Sequence, residues 1–211
     1  MVQFDWLAMG EIGSLSEMRR ENMQKIDLGT NVFLYPMPVT LVGTIVEGKV
    51  NFMAVAWTSR VNYNPPLLAV AINKRHHTNK GIEAHRAFSV NIPSLELLEK
   101  ADYCGVVSGR DQDKSGIFEV FSGRLEGAPL IRECPLCLEC KLFQVVTLPT
   151  HNLYLGEIVG AYSEERFLTD GKLDIIKMKP FVLTMPDNNY WKVGEVAGLA
   201  WRAGRNWKKG S

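Results

Sequence analysis

The sequence has no apolar run long enough to cross a bilayer. Its longest such stretches, residues 52–57 and 65–72, fall far short of the roughly 18 to 20 residues a spanning helix needs. It also lacks a charge excess of either sign. Lys and Arg total 24 and Asp and Glu total 23, and the net charge of +1 leaves no footprint for nucleic acid or an anionic membrane. Cysteine is scarce. Cys134, Cys137 and Cys140 crowd into one short stretch and Cys104 stands apart, a poor disulfide framework. The opening MVQFDWLAMGEIGSLSEMRR has no basic segment ahead of an apolar one, so no secretory signal is expected. A reducing cytoplasm is the expected compartment.

Other absences narrow the function. No period of about 20 to 50 residues repeats, which excludes solenoids and propellers. There is no G-x-S-x-G, Walker A run, H-E-x-x-H or G-x-G-x-x-G, so hydrolase, NTPase, zinc-protease and Rossmann readings lack their signatures. No Pro-rich or Ser/Gly-rich linker divides the chain. The expected organisation is an extension over residues 1–30, packed on the domain or on a partner, followed by one domain over 31–211.

What is present is the material of a folded protein. The 211 residues are 46% hydrophobic and 22% charged. A chain of this length buries roughly 70% of its unfolded surface and needs no disulfide or metal to fold. Apolar positions Leu15, Met18, Met23 and Ile26 suit a short surface helix. From residue 38 the pattern turns strand-like. Strands are expected over 38–46 and 50–58 around a Glu47-Gly48-Lys49 turn, then over 67–72 and 88–92. A long strand pair is expected over 137–148 and 151–162, with a further hairpin turn at Asp170-Gly171. Thr78 is expected to cap a helix over 78–85, and Ser94 a helix over 95–101, followed by a glycine-rich, charged loop over 104–115. Many short strands with few helices and no βαβ alternation predict a mainly β fold, a small barrel with helical inserts.

Three segments could carry chemistry. In VNFMAVAWTS, alternation puts Asn51, Met53, Val55 and Trp57 on one face and Phe52, Ala54, Ala56 and Thr58 on the other. By itself this reads as a barrel strand with Trp57 filling the core. In NKRHHTNK a strand end delivers Arg75, His76 and His77 to a helix start at Thr78. A helix N-terminus receives phosphate well, and Arg75 adds a planar charged fork. Phosphate site and solvated basic loop both stay open. SGRDQDK, with Arg110 and Lys114, reads either as a ligand-covering loop or as a salt-bridged turn. His76-His77 makes a weak metal site, because adjacent strand residues face opposite ways. The Cys134, Cys137 and Cys140 run lacks the further ligands a zinc or iron–sulfur site needs. Strand spacing would put Cys134 and Cys140 on one face and Cys137 on the other. They read as buried small hydrophobes. His151 stands at a strand tip, where it is either exposed or a ligand donor.

The ordered set of motifs resembles a known family. P-x-P-V-T-L-V-G-T at 36–44, N-x-M-x-V-A-W-x-S at 51–59, N-P-P at 64–66, R-H-x-T at 75–78 and F-S-V-N-I-P at 88–93 are similar to the flavin-reductase-like FMN-binding proteins. Y-C-G-x-x-S-G-R-D-x-D-K at 103–114 and E-C-P-x-x-L-E-C at 133–140 resemble its flavoredoxin branch. The resemblance covers residues 32–198. It implies a homodimeric, Greek-key-like split β-barrel holding one FMN near the subunit interface. Asn51, Trp57, Thr58 and Ser59 would then line the flavin, and Arg75 and Thr78 would hold its phosphate. Lys114 and His151 would complete the site, with a cation near the ring stabilising the reduced flavin. Asn91 would touch the ribityl chain or the dimer partner. The implied function is electron transfer between NAD(P)H and FMN or another acceptor, with the cofactor carrying the chemistry. The alternatives are an FMN electron carrier serving a redox protein partner, or a flavinless barrel used for binding. The first 30 residues, Cys137 and the tail with Trp201 and Trp207 depart from the pattern.

Overall fold

The structure is a computed structural model that describes residues 25–205 and 207–208. The helix expected over residues 15–26 lies, but for its last two residues, outside the described residues. The chain divides into two compact units, Met1–Phe33 and Leu34–Ser211. In the described part of the first, residues 25–33, the Gly29 N–H donates to Asp27 Oδ1 at 2.7 Å.

The second unit is built on one antiparallel sheet. Its strands are β2 (Thr40–Val46), β3 (Lys49–Val55), β4 (Thr58–Asn62), β5 (Leu67–Asn73), β6 (Ala87–Ile92), β9 (Leu136–Thr147) and β10 (His151–Tyr162). Their order is β3-β2-β6-β9-β10-β5-β4. The first and last strands of that order are consecutive in the chain, so the sheet returns to its starting point as a barrel. Ala56 and Trp57 make the join. The Ala71 N–H donates to the Trp57 carbonyl at 3.0 Å, carrying the β5 pairing into the bend. Thr40 supports it from β2, donating to the Val55 carbonyl at 2.8 Å and lying 3.2 Å from Thr58 Oγ1. The single strand expected over 50–58 is therefore two, broken where the barrel closes.

Alternation along the strands makes two apolar layers. Val42, Val70, Ile72, Phe88 and Tyr154 fill the barrel, and Ile82 of α1 (Thr78–His85) plugs it. Leu41, Phe52, Leu130, Ile131 and Phe181 point the other way, against Ala101 and Cys104 of α2 (Leu98–Val106). Full burial of each large side chain is worth roughly 1.5 to 3 kcal/mol. The β2–β3 hairpin turns on Glu47 and Gly48, both with positive φ, as a two-residue hairpin of this twist requires. Asp170 and Gly171 repeat the device between β11 (Leu168–Thr169) and β12 (Lys172–Leu173).

Around the barrel lie a small sheet of β1 (Met37–Pro38), β13 (Phe181–Thr184) and β14 (Asn189–Lys192), and a pair, β7 (Val120–Phe121) with β8 (Leu130–Ile131). A short α3 (Ile175–Met178) is capped by Asp174, whose carboxylate accepts from Ile176 N and Lys177 N. Two helix readings need correction. Ser94 opens a 3-10 turn, Leu95–Leu97, without a side-chain cap bond. The helix that follows runs to Val106, so the glycine-rich loop starts at 107 rather than 104. The cysteine faces also differ from expectation. Cys134 precedes β9 and joins Cys137 in the outer layer, and Cys140 alone faces the barrel. The period-two rule applies only to the two that share a strand.

Candidate functional site

The site gathers where β3, the end of β5 and the start of α1 meet. Three polar side chains are buried there, Asn51 at 5% exposure, Thr78 at 2% and Lys114 at 3%. Burying such groups costs free energy unless they are paired, so their partners matter. Asn51 Nδ2 donates to Thr78 Oγ1 at 3.0 Å. Thr78 is the first helical residue and not the cap expected of it. His77 holds the cap position with helical dihedrals and no side-chain cap bond. The Thr78 hydroxyl accepts from Asn51 and keeps its own proton to donate.

Asn51 Oδ1 is buried with no partner among the described residues. Gly109 is what lets the 107–114 loop lie against it. A Cβ built on Gly109 would fall 2.0 Å from that oxygen. Lys114, at the far end of this loop, donates to the Phe52 carbonyl at 3.1 Å and the Cys104 carbonyl at 2.9 Å. Burial pushes its pKa below the ordinary lysine value, and Cys104 acts against that fall. A buried ammonium with two neutral partners favours an anion as its third.

A half-exposed group lies beside this buried one. Trp57 and His151 pack with ring centroids 4.9 Å apart at 34°. His151 opens β10 opposite Asn73 of β5, and its Nδ1 lies 2.8 Å from Thr150 Oγ1. His76 connects the two groups. Burial first, then the positive charges of Lys114 and His151, hold its pKa below the ordinary 6.5. The sequence reading placed His76 in the run delivered to the helix start and weighed it as a metal ligand, without assigning it a place beside Lys114 and His151. Its one signal was its place between Arg75 and Thr78.

The other candidates divide. Thr58 is half-buried at the barrel join, and Ser59 is exposed with its hydroxyl donating to the Arg60 carbonyl at 3.2 Å. Arg75 is exposed on the turn before α1. Its N–H donates to Asn73 Oδ1 at 3.1 Å, and its carbonyl accepts from Arg110 Nη2 at 3.3 Å. Arg110 thereby fastens the 107–114 loop over that turn. Asn91 stands apart from this group. Its Nδ2 donates to the Leu41 carbonyl at 3.1 Å and to Ser89 Oγ at 2.9 Å, and its Oδ1 accepts from Ile131 N at 3.0 Å. It is fully buried and its polar atoms are committed to the fold.

Two clefts open on the site. One of about 100 Å³ is lined by Met53, His76, Thr78, Cys104 and Lys114. The other, about 290 Å³, is lined by Asn51, His77, Lys80, Arg110 and Lys114 among others. A larger cleft, about 730 Å³, lies elsewhere, beside Phe121, Cys137, Tyr162 and Arg166, and shares no lining residue with these two. Size and chemistry disagree, and the convergent polar groups mark the smaller pair as the site. Among the described residues no three His, Cys, Asp or Glu side chains stand together to hold a metal, and no helix is long and apolar enough to cross a membrane.

Buried donors, an orphaned acceptor, cations and an aromatic wall fit a flat, partly anionic ligand such as a flavin phosphate. Comparison with known proteins shows what the chain is similar to. The chain is 54% identical to flavoredoxin from Methanosarcina acetivorans, covering 86% of this chain and 98% of that one with a TM-score of 0.85. It is 32% identical to flavoredoxin of Desulfovibrio vulgaris (Miyazaki F), over 86% and 100%, with a TM-score of 0.80. It is 25% identical to an FMN-binding protein from Thermus thermophilus, over 83% and 97%, with a TM-score of 0.71. One curated relative, 31% identical, is longer, and the chain spans 57% of its length. Residues 32–174 match the flavin reductase like domain. The fold, the site and these likenesses lead to one conclusion: the chain belongs to the flavin reductase like family, with a mainly β split barrel and flavoredoxins among its structural neighbours.

Proposed function

We propose that this protein binds FMN and passes electrons between NAD(P)H and the flavin, or on to an acceptor. The observation that carries the reading is the buried Asn51–Thr78–Lys114 group at the α1 N-terminus, where Asn51 Oδ1 has no partner among the described residues. Thr78 and Arg75, at the N-terminal end of α1, would hold the phosphate. Asn51 and Lys114 would meet the polar edge of the flavin, with Trp57, Thr58 and Ser59 along its length and His151 at one end. The bound flavin would supply the redox chemistry, and these side chains would bind, orient and tune it. Lys114 keeps a positive charge where the reduced ring gains electron density.

Neither cleft of the single chain encloses a whole mononucleotide, since ligand pockets usually span about 300 to 1,000 Å³. A second copy of the chain would cover the remaining face, which makes the working form a homodimer. Size-exclusion chromatography with light scattering reads this directly. A flavin-loaded monomer would count against it.

The first test is the visible spectrum of the purified protein, with and without added FMN followed by desalting. Flavin retained at near one per chain supports the reading, and a colourless protein removes it. Anaerobic NADH or NADPH is then added to the loaded protein. Rapid bleaching identifies a reductase. Bleaching only by a reduced redox protein identifies a carrier.

A further inference from the structure

Tyr154 lies inside the barrel, paired across β10 with Val70 of β5 and Val145 of β9, and is fully buried. A phenol in an apolar interior needs a reason, because its hydroxyl must find partners there. That hydroxyl lies 2.7 Å from Asn79 Oδ1 and 2.9 Å from Glu83 Oε1, so its one proton is held between two acceptors. It also accepts from Asn152 Nδ2 at 3.3 Å. Burial, the largest influence, raises its pKa and keeps it a donor.

Asn79 is the next link. With its oxygen turned to Tyr154, its amide nitrogen faces the turn before α1 and donates to two carbonyls. One is Asn73 at 2.9 Å, the last residue of β5, and the other is His76 at 2.8 Å. These carbonyls bracket Lys74 and Arg75. The clamp fixes the run that carries Arg75, His76 and Thr78, and neither Tyr154 nor Asn79 lines the clefts described above.

We propose that Tyr154 and Asn79 are positioning residues that set the geometry of the phosphate end of the flavin site, and so its preference for FMN over flavins without a phosphate. The inference rests on the FMN reading above. Without the phenol, the Asn79 amide loses the acceptor-side contact that orients it, and the turn is free to shift relative to α1. The ring end of the site, at Trp57 and Lys114, hangs on other elements and does not feel the change.

The test compares two ligands that differ only by the phosphate. FMN and riboflavin are titrated into flavin-free wild-type protein, Tyr154→Phe and Asn79→Ala, with melting temperature followed in parallel. Tyr154→Phe keeps the ring in the core and removes one hydroxyl. The FMN Kd is expected to rise about five- to tenfold, as loss of one good hydrogen bond implies, while riboflavin is bound as before. Asn79→Ala should shift the same ratio in the same direction. Equal losses for both ligands, or none for either, would make the pair a stability feature and overturn the proposal. Wild-type protein that binds no FMN would instead overturn the FMN reading and the proposal with it. Wild-type binding with an unaltered ratio in both variants overturns only the proposal.

Discussion

Asn51 donates to Thr78 across 3.0 Å, and this one bond ties the barrel wall to the first residue of α1. The two residues are 27 positions apart, and Asn51 Oδ1 has no partner among the described residues. Thr78→Ala removes the acceptor and leaves Asn51 Nδ2 buried and unpaired. FMN affinity should fall by roughly 1 to 2 kcal/mol, read by titration. An unchanged affinity would place the phosphate elsewhere.

Gly109→Ala tests the close approach of the loop to Asn51. Its Cβ would meet Asn51 Oδ1 at 2.0 Å, so either the loop or the amide must move. Overpacking of this kind typically costs about 1 to 3 kcal/mol. The expected outcome is weaker FMN retention after desalting together with a lower melting temperature. A variant as stable and as yellow as the parent would mean the loop does not rest on Asn51.

His76 gives the flavin-free protein a pH dependence of definite sign. Its folded pKa is held below the ordinary 6.5, mainly by burial and then by Lys114 and His151. The unfolded chain therefore binds the proton more readily. Stability from this group is complete above about pH 6.5 and is lost as pH falls through the lower folded value. Melting temperature should decline on acidification in that window, and His76→Gln should flatten the decline. A slope that persists unchanged in the variant would assign it to other groups.

All four cysteines are buried and free. Burial pushes the Cys104 thiol up to about 11 and Cys137 up to about 12, and Cys134 and Cys140 are raised as well. The thiolate is the reactive form, so a thiol reagent near pH 8 should modify the native protein slowly and the urea-unfolded protein at once. Cys134→Ser and Cys140→Ser should lower stability and leave flavin in place. A rapid native reaction would contradict the buried placement.

The parts of this fold written in local chemistry are legible in the sequence. Glu47-Gly48 and Asp170-Gly171 are turn signals, and alternating apolar residues mark the long β9–β10 pair. The break between β3 and β4 is not legible, because Ala56 and Trp57 carry no turn chemistry and bend only because the barrel closes there. Thr78 reads locally as a cap. Its hydroxyl is taken by Asn51, which no local rule reveals. Asn91 shares its segment with the motifs that suggested a ligand, yet its partners Leu41 and Ile131 come from distant strands. His76 matters only because the fold brings Lys114 and His151 to it. Asn51, Arg75, Thr78, Lys114 and His151 were each readable as candidates, and only the three-dimensional arrangement divides the buried group from the exposed one.

The bend at Ala56 and Trp57 joins the strand that bears Asn51 to the strand that bears Thr58 and Ser59. The seam of the barrel therefore continues directly from the strand whose Asn51 and Met53 line the clefts. A single inserted or deleted residue in that run would turn every later side chain to the opposite face and open the wall at once. Room for change lies instead in connecting segments beside the site that belong to no strand, residues 74–77 and 107–114. Variation in ligand or partner preference among relatives should concentrate in those segments, with the seam left untouched.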